Sequence, residues 1–134
     1  MKTAVIYWSG TGNTEQMAAA VAEGAGAELI RVSDFSGDIA EYDRLAFGCS
    51  AMGDEVLEEE EFEPFFAAIE GALRGKNIAL FGSYGWGDGE WMRSWEKDCG
   101  DAGLNLVCES VTCCDAPDDA ALEACRELGR ALAK

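Results

Sequence analysis

The first residues constrain the fold most, because an uncharged strand-like run leads through a glycine-rich loop straight into a helical pattern. Thr3–Trp8 carries no charge, as expected for a strand that is covered on both faces. Asn13–Gly24 then has the spacing of a helix, with Gly24 as its stop signal. Parallel strands need such a crossover helix to join them. The start of the chain therefore predicts a parallel sheet.

The alternation of strand and helix continues to the end of the chain. Further strands are predicted over Glu28–Val32, Arg44–Gly48, Asn77–Tyr84 and Asn105–Thr112, the last one at a sheet edge. Further helices are predicted from Phe62 to Leu73, from Glu90 to Ala102 and from Asp118 to Ala133. The chain has 134 residues, of which 49% are hydrophobic. We therefore expect residues 1–134 to form one α/β domain, a five-stranded, doubly wound parallel sheet with helices on both faces.

The loop after the first strand is typical of a phosphate-binding turn. Ser9-Gly10-Thr11-Gly12-Asn13-Thr14 combines two glycines with four side chains that can form hydrogen bonds. Glycines let backbone N–H groups approach an anion, and a helix N-terminus adds partial positive charge. A P-loop would end in lysine, and a dinucleotide fingerprint would have glycine where Glu15 stands. The loop predicts a cradle of neutral donors for one terminal phosphate monoester, and the alternative is a well-capped turn without a ligand.

Three segments, in order along the chain, resemble one family. Tyr7–Glu15, Cys49–Glu55 and Phe81–Gly89 follow or end the first, third and fourth predicted strands, and they look like the FMN-binding loops of short-chain, clostridial-type flavodoxins. The resemblance extends over the whole chain and implies a flavodoxin-like strand order of 2-1-3-4-5. It also implies one non-covalently bound FMN and a low-potential carrier, not an enzyme. Such a carrier moves single electrons as the flavin passes between its oxidised, semiquinone and hydroquinone states.

The resemblance also assigns the FMN-binding residues. They are Ser9, Gly10, Thr11, Gly12, Asn13 and Thr14 in the first loop, Ser50, Ala51, Met52, Gly53, Asp54 and Glu55 in the second, and Ser83, Tyr84, Gly85, Trp86, Gly87, Asp88 and Gly89 in the third. Met52 would lie against one face of the flavin, and Trp86 would stack on the other. The Gly53–Asp54 peptide would turn over on one-electron reduction, and Glu55 would accept a hydrogen bond from the flavin N3–H. A core-filling Met52, a surface Trp86 and a plain turn at Gly53 are the alternatives.

The charge of the chain limits its partners. Ten basic residues stand against 26 acidic ones, which gives a net charge of −16. Such a surface repels nucleic acid and anionic membranes, and it attracts redox proteins with basic docking patches; the alternative is that the charge serves solubility alone. Seven of the ten residues from Asp54 to Glu63 are acidic. Next to a flavin, these carboxylates would oppose the negative charge of the fully reduced state.

The cysteines and the start of the chain suggest where the protein works. The six cysteines include no Cys-x-x-Cys pair, and the chain has no histidine, so zinc and iron–sulfur sites lack their usual spacing. We expect reduced, mostly buried thiols, the alternative being a disulfide scaffold. We find no secretory leader and no apolar run that approaches the ~20 residues needed to span a bilayer. The sequence therefore predicts a cytoplasmic protein, which we expect to be a monomer, and leaves the pair Cys113–Cys114 without a role.

Other functions share the predicted fold or its features. A phosphoacceptor signalling domain needs aspartate at the end of strand three and lysine at the end of strand five, where this chain has Gly48-Cys49-Ser50 and Thr112-Cys113-Cys114. An FMN-dependent reductase would need a place for nicotinamide or substrate beside the flavin, and the loops offer none. Direct reduction by NAD(P)H would separate that enzyme from a carrier. A protein-binding module without a cofactor would be distinguished by its lack of flavin colour.

Overall fold

The computed structural model describes residues 2–10, 12–52, 57–85 and 87–134. Its strands are β1 (Thr3–Trp8), β2 (Glu28–Arg31), β3 (Arg44–Cys49), β4 (Asn77–Tyr84), β5 (Asn105–Leu106) and β6 (Val111–Cys114). Its helices are α1 (Asn13–Ala25), α2 (Phe62–Ile69), α3 (Glu90–Asp101) and α4 (Asp119–Ala133), with 3-10 turns at Val32–Asp34, Ile39–Glu41 and Glu70–Ala72. Among these residues, no helix combines the length and the apolar character that a membrane crossing requires.

The strands form one parallel sheet in the order β2-β1-β3-β4, with both β5 and β6 paired to β4. This confirms the doubly wound α/β fold and the strand order 2-1-3-4-5. Because the strands are parallel, their carboxyl ends meet at one edge of the sheet. The order reverses between β1 and β3, and ligands of such sheets bind in the crevice outside the strand ends at that point.

The prediction of one continuous fifth strand over Asn105–Thr112 is wrong, because two short strands share its place. Leu106 pairs with Ile78, and Val111 pairs with Phe81. The chain thus advances three residues along β4, from Ile78 to Phe81, but five residues between their partners on the edge strands, from Leu106 to Val111. The two extra residues cannot stay in register, so the chain leaves the sheet between β5 and β6. Ser110, within this excursion, donates to the carboxylate of Glu96 on α3 at 2.8 Å.

The two faces of the sheet are covered by different pairs of helices. On one face α1 packs against α4, and two glycines allow their close approach. A Cβ at Gly129 would lie 2.2 Å from the carbonyl oxygen of Val21, and one at Gly24 would lie 2.1 Å from that of Arg126. On the other face, α2 and α3 bury an aromatic cluster of Phe47, Phe62, Phe66, Trp91 and Trp95. Successive residues of β1 point to opposite faces, so both layers are anchored on the central strands.

Candidate functional site

A cleft of about 270 Å³ opens at the carboxyl edge of the sheet. It is lined by Trp8, Gly10, Asn13, Ser50, Ala51, Met52, Ser83, Tyr84, Gly85 and Asp115. These residues come from the loops that follow or end β1, β3, β4 and β6, so the fold brings together the three predicted loops and adds a fourth. The cleft lies where the strand order reverses, which is the expected place for a ligand in this architecture.

Thr14, in the first turn of α1, ties the predicted loops together beneath the cleft. Its side chain is fully buried. Its hydroxyl oxygen lies 2.7 Å from the Ser50 hydroxyl and 3.3 Å from the Ser83 hydroxyl, and it accepts a bond from the Ser83 backbone N–H at 3.3 Å. The backbone N–H of Ala51 also donates to the Ser83 carbonyl at 3.0 Å. One hydroxyl therefore links the start of α1 to the ends of β3 and β4.

The loop after β1 is a tight turn that opens α1. The Ser9 hydroxyl oxygen is nearly buried and accepts the Gly12 N–H at 3.1 Å. Gly12 has a φ of +96°, a conformation that favours glycine, and the helix begins immediately after it. No side chain among the described residues caps that helix start at Gly12. The first N–H groups of α1 and their partial positive charge therefore stand beside Gly10 and Asn13, which line the cleft.

The cleft also has apolar walls. Met52 is 39% exposed, which is unusual for a large hydrophobic side chain in this chain. Trp8 is half-buried, and its indole N–H donates to the carboxylate of Glu61 at 3.2 Å. The Tyr84 ring packs on the Trp91 ring, with 5.4 Å between centroids. An exposed thioether beside fixed aromatic rings suits a flat, polarisable ligand.

The floor of the cleft is held from the α3 side. The Trp91 indole N–H donates to the Cys49 carbonyl at 3.3 Å, and the side chain is 1% exposed. A Cβ at Gly82 would lie 2.2 Å from that same carbonyl oxygen, so only glycine leaves room for this contact. Burial raises the pKa of the Cys49 thiol to about 12, although the Glu58 N–H donates to it. Cys49 therefore stays a neutral thiol with a packing role.

The structure does not place the remaining predicted site residues in the cleft lining. Ser9, Gly12 and Thr14 lie behind it. Asp88 and Gly89 line a neighbouring groove, where Asp88 pairs with Arg93 at 2.9 Å. Gly87 adopts a φ of +90° in the turn before α3. Thr11, Gly53, Asp54, Glu55 and Trp86 lie outside the described residues.

Two lining residues were not predicted as part of the site. Trp8 belongs to the first flavodoxin-like segment, Tyr7–Glu15, but the sequence pattern assigned it to the strand. The sequence does not show which way the side chain points at the last position of a strand. Asp115 follows β6 in a left-handed conformation, with a φ of +59°, and its N–H donates to the Tyr84 carbonyl at 2.7 Å. Its signal in the sequence was its position after the fifth strand, at the edge where all parallel strands end.

The sequence of the glutamate run suggests that all of it lies on the surface, but one of its members is buried. Glu58 is 6% exposed. Its carboxylate accepts the backbone N–H groups of Glu60, Glu61 and Phe62 at 2.7–2.8 Å. A carboxylate at a helix N-terminus is stabilised by the unpaired N–H groups and the helix dipole. Glu58 is therefore the cap of α2. The exposed members of the run and its surroundings, which we call the acidic rim, are Glu59, Glu60, Glu61 and Glu63. Of these, Glu61 is held at the Trp8 wall of the cleft, whereas Glu63 lines the groove between α2 and α3.

A larger groove, about 490 Å³ in volume, lies between α2 and α3. Carboxylates of Glu63, Glu70, Asp98 and Asp101 are among its lining. An anionic ligand would meet repulsion from these four carboxylates, so the smaller cleft is the better site for a phosphate. Among the residues that the structure describes, no group of histidine, cysteine, aspartate or glutamate could hold a metal ion.

Comparison with known proteins identifies the family. The Flavodoxin family model matches residues 5–129. The flavodoxin of Clostridium beijerinckii is 48% identical, with 96% of this chain and 97% of that protein covered, and the flavodoxin of Megasphaera elsdenii is 45% identical, with 97% of both covered. The solution structure of two-electron reduced M. elsdenii flavodoxin matches with a TM-score of 0.87 at 43% identity, covering 98% of each chain. The chain therefore belongs to the flavodoxin family.

Family membership makes this chain an FMN-binding electron carrier, not an enzyme, that exchanges electrons with redox partner proteins. The cleft fits that cofactor in its chemistry. Its lining combines hydroxyls and the start of α1, which suit a phosphate, with the apolar surfaces of Met52 and Trp8, which suit a flavin ring. The sequence predicted both the family and the cofactor, and both predictions are confirmed.

Replacement of Thr14 by valine should destabilise the protein. Valine keeps the shape of the side chain but leaves the buried Ser83 N–H without its acceptor, so we expect a loss of about 1–3 kcal/mol in the free energy of unfolding. Urea denaturation of the cofactor-free protein measures it. Thr14→Ser, which keeps the hydroxyl, is the matched control and should lose less. A Thr14→Val protein as stable as the wild type would show that the hydroxyl does not hold the strand ends together.

Proposed function

We propose that this flavodoxin is a low-potential, one-electron carrier that binds FMN in the cleft with the phosphate at the start of α1. The observation that supports this most directly is the lining of the cleft, which combines polar residues at and beside the start of α1, Asn13 and Ser50, with the exposed thioether of Met52 and the Trp8 and Tyr84 rings. When bound, FMN supplies the chemistry of accepting and returning electrons. The chain binds it, orients it and sets the electrostatic field around it.

The proposed contacts follow the three loops. The phosphate is held by Ser9, Gly10, Thr11, Gly12, Asn13, Thr14 and Ser50. The flavin ring lies between the loop Ala51, Met52, Gly53, Asp54 and Glu55 and the loop Ser83, Tyr84, Gly85, Trp86, Gly87, Asp88 and Gly89, with Trp86 as the outer wall. Two observations support this arrangement: the described members of the first two loops converge at one edge of the sheet, and the Thr14 network links the first, second and third loops.

The exposed carboxylates of the acidic rim support the low potential. Glu59, Glu60, Glu61 and Glu63 are exposed, and the Trp8 indole holds the Glu61 carboxylate next to a cleft wall. A unit charge ~12 Å from the flavin at an effective dielectric constant of ~40 opposes added negative charge by roughly 0.7 kcal/mol before salt screening. That corresponds to about 30 mV for a one-electron couple. Several such charges would lower the potential of the second electron more than that of the first, because the negative charge accumulates on full reduction.

The same charges support a partner with a basic docking surface. The net charge is −16, and Glu61 of the acidic rim is held at a wall of the cleft, where a partner must approach to exchange electrons. Among the described residues, the large hydrophobic side chains that are exposed are Leu29 and Met52. They form no extensive apolar patch, which supports a monomer. We further propose that residues 1–134 act as one cytoplasmic domain.

The position of the phosphate is tested by comparing FMN with riboflavin. Because several donors would bond to a charged phosphate, the cofactor-free wild type should bind FMN about 100-fold or more tightly than riboflavin in a fluorescence titration. Asn13→Ala should weaken FMN by about tenfold and riboflavin by less than threefold. Asn105→Ala, at the opposite edge of the sheet, is the control and should change neither. Equal affinities of the wild type for both flavins would overturn the phosphate assignment.

The docking surface is tested by the dependence of electron transfer on salt. Transfer from the reduced holoprotein to cytochrome c, a basic acceptor, should slow as ionic strength rises, because attraction between opposite charges steers the encounter. The triple variant Glu59→Gln, Glu60→Gln, Glu63→Gln should be slower at low salt and less sensitive to added salt. Stopped-flow absorbance measures both rates.

A control variant separates local from overall charge. Glu41→Gln, Asp43→Asn, Asp101→Asn removes the same number of charges at the opposite edge of the sheet and should have a smaller effect. If the two triple variants behave alike, net charge and not the rim governs docking. Glu58 is left unchanged in both, because its carboxylate caps α2.

A further inference from the structure

A basic side chain lies behind the loop that we assign to the phosphate. Arg31 ends β2, and the pairing of β2 with β1 places it beside Tyr7. Its guanidinium donates to the Ser9 carbonyl at 3.2 Å and lies 5.4 Å from the centroid of the Tyr7 ring. The side chain is 38% exposed, so it is partly shielded from water. The first loop contains no basic residue of its own, and this contact places the Arg31 guanidinium at the carbonyl of its first residue, Ser9.

The same guanidinium approaches a carboxylate that would otherwise disfavour phosphate binding. Glu15 lies in the first turn of α1. Its carboxylate oxygen is 3.6 Å from the Arg31 guanidinium and accepts the Tyr7 hydroxyl at 2.9 Å. Burial, and secondarily the bond to Glu15, raise the pKa of Tyr7, so this hydroxyl remains a donor at neutral pH. A carboxylate at a helix N-terminus competes with an anionic ligand for the same partial positive charge.

The surrounding charges make this competition important. The chain has a net charge of −16, and a phosphate monoester brings up to two more negative charges to the start of α1. Among the described residues, the basic residue that directly precedes β1 is Lys2. It stands near Glu41, at the end of β1 that is opposite to the first loop. Arg31 is therefore placed to offset Glu15 at the end of α1 where the phosphate is proposed to bind.

We infer that Arg31 is a positioning residue that makes the first loop selective for a phosphorylated flavin. It does so in two ways. Its bond to the Ser9 carbonyl fixes the turn in which the Ser9 hydroxyl accepts the Gly12 N–H. Its charge offsets Glu15, so that the N-terminus of α1 is free to attract the phosphate. This inference rests on the proposed position of the phosphate and adds the charge balance that a cradle of neutral donors requires.

A double-mutant cycle tests the inference. The dissociation constants of FMN and riboflavin are measured on cofactor-free wild type, Arg31→Gln, Glu15→Gln and the double variant, at one low ionic strength. Arg31→Gln should weaken FMN by about tenfold and riboflavin by less than twofold, because only FMN carries the phosphate. Glu15→Gln should bind FMN at least as tightly as the wild type. The double variant should return to within about threefold of the wild type, because the uncompensated carboxylate is gone.

Further measurements separate the possible failures. Arg31→Lys keeps the charge and should recover most of the FMN affinity, and urea denaturation of each cofactor-free variant shows whether it folds. If wild type does not discriminate between the two flavins, the phosphate position itself is wrong. If wild type discriminates and Arg31→Gln discriminates equally well, only the role of Arg31 is overturned. A double variant as weak as Arg31→Gln, or an Arg31→Gln variant that loses both flavins equally, also overturns it.

Discussion

The hydroxyl of Thr14 connects the parts of the molecule on which function depends. It sits in the first turn of α1 and contacts side chains and backbone at the ends of β3 and β4. Parallel strands bring their carboxyl ends to one edge, but the sheet alone does not set how the loops beyond those ends are spaced. A buried hydroxyl with several partners sets that spacing, because leaving any of those partners unpaired would cost about 1–3 kcal/mol. The residues of the first, second and third loops that line the cleft are held in fixed positions as a consequence.

The second constraint is charge, since a strongly acidic chain must bind an anionic cofactor. The structure uses its carboxylates in distinct ways. Glu58 is turned inward, where the N–H groups at the start of α2 bind it, while Glu61 is held beside the cleft by the Trp8 indole. Glu15 is bound by Tyr7 and Arg31. Carboxylates next to one another in sequence therefore differ in role, because the groups that face them differ.

Much of the fold could be predicted because its signals are local. β1 and β4 begin and end at the predicted residues, since both are uncharged apolar runs bounded by polar residues or glycine. The division of the fifth strand could not be predicted, because it depends on a register mismatch with β4 that no local pattern contains. The inward turn of Glu58 was missed for a similar reason: four consecutive glutamates look alike in sequence, and only the packing of α2 distinguishes the first one.

The site shows the same limits. Short glycine-rich motifs predicted which loops converge, because such loops follow strands whose ends must meet. The sequence could not show that Thr14 lies beneath the cleft while Asp115 lines it, since both positions depend on how loops distant in sequence meet across the sheet. Arg31 escaped notice because it is distant from the phosphate loop in sequence and reaches it only through the pairing of β2 with β1.

We propose that this protein is a one-electron carrier in which carboxylates near the cleft separate the two reduction steps of bound FMN. An anaerobic reductive titration of the holoprotein, followed by absorbance against reference dyes, tests it most directly. We expect two resolved steps of one electron each, the second at a distinctly lower potential than the first. A single two-electron step, with both electrons entering at the same potential, would contradict it.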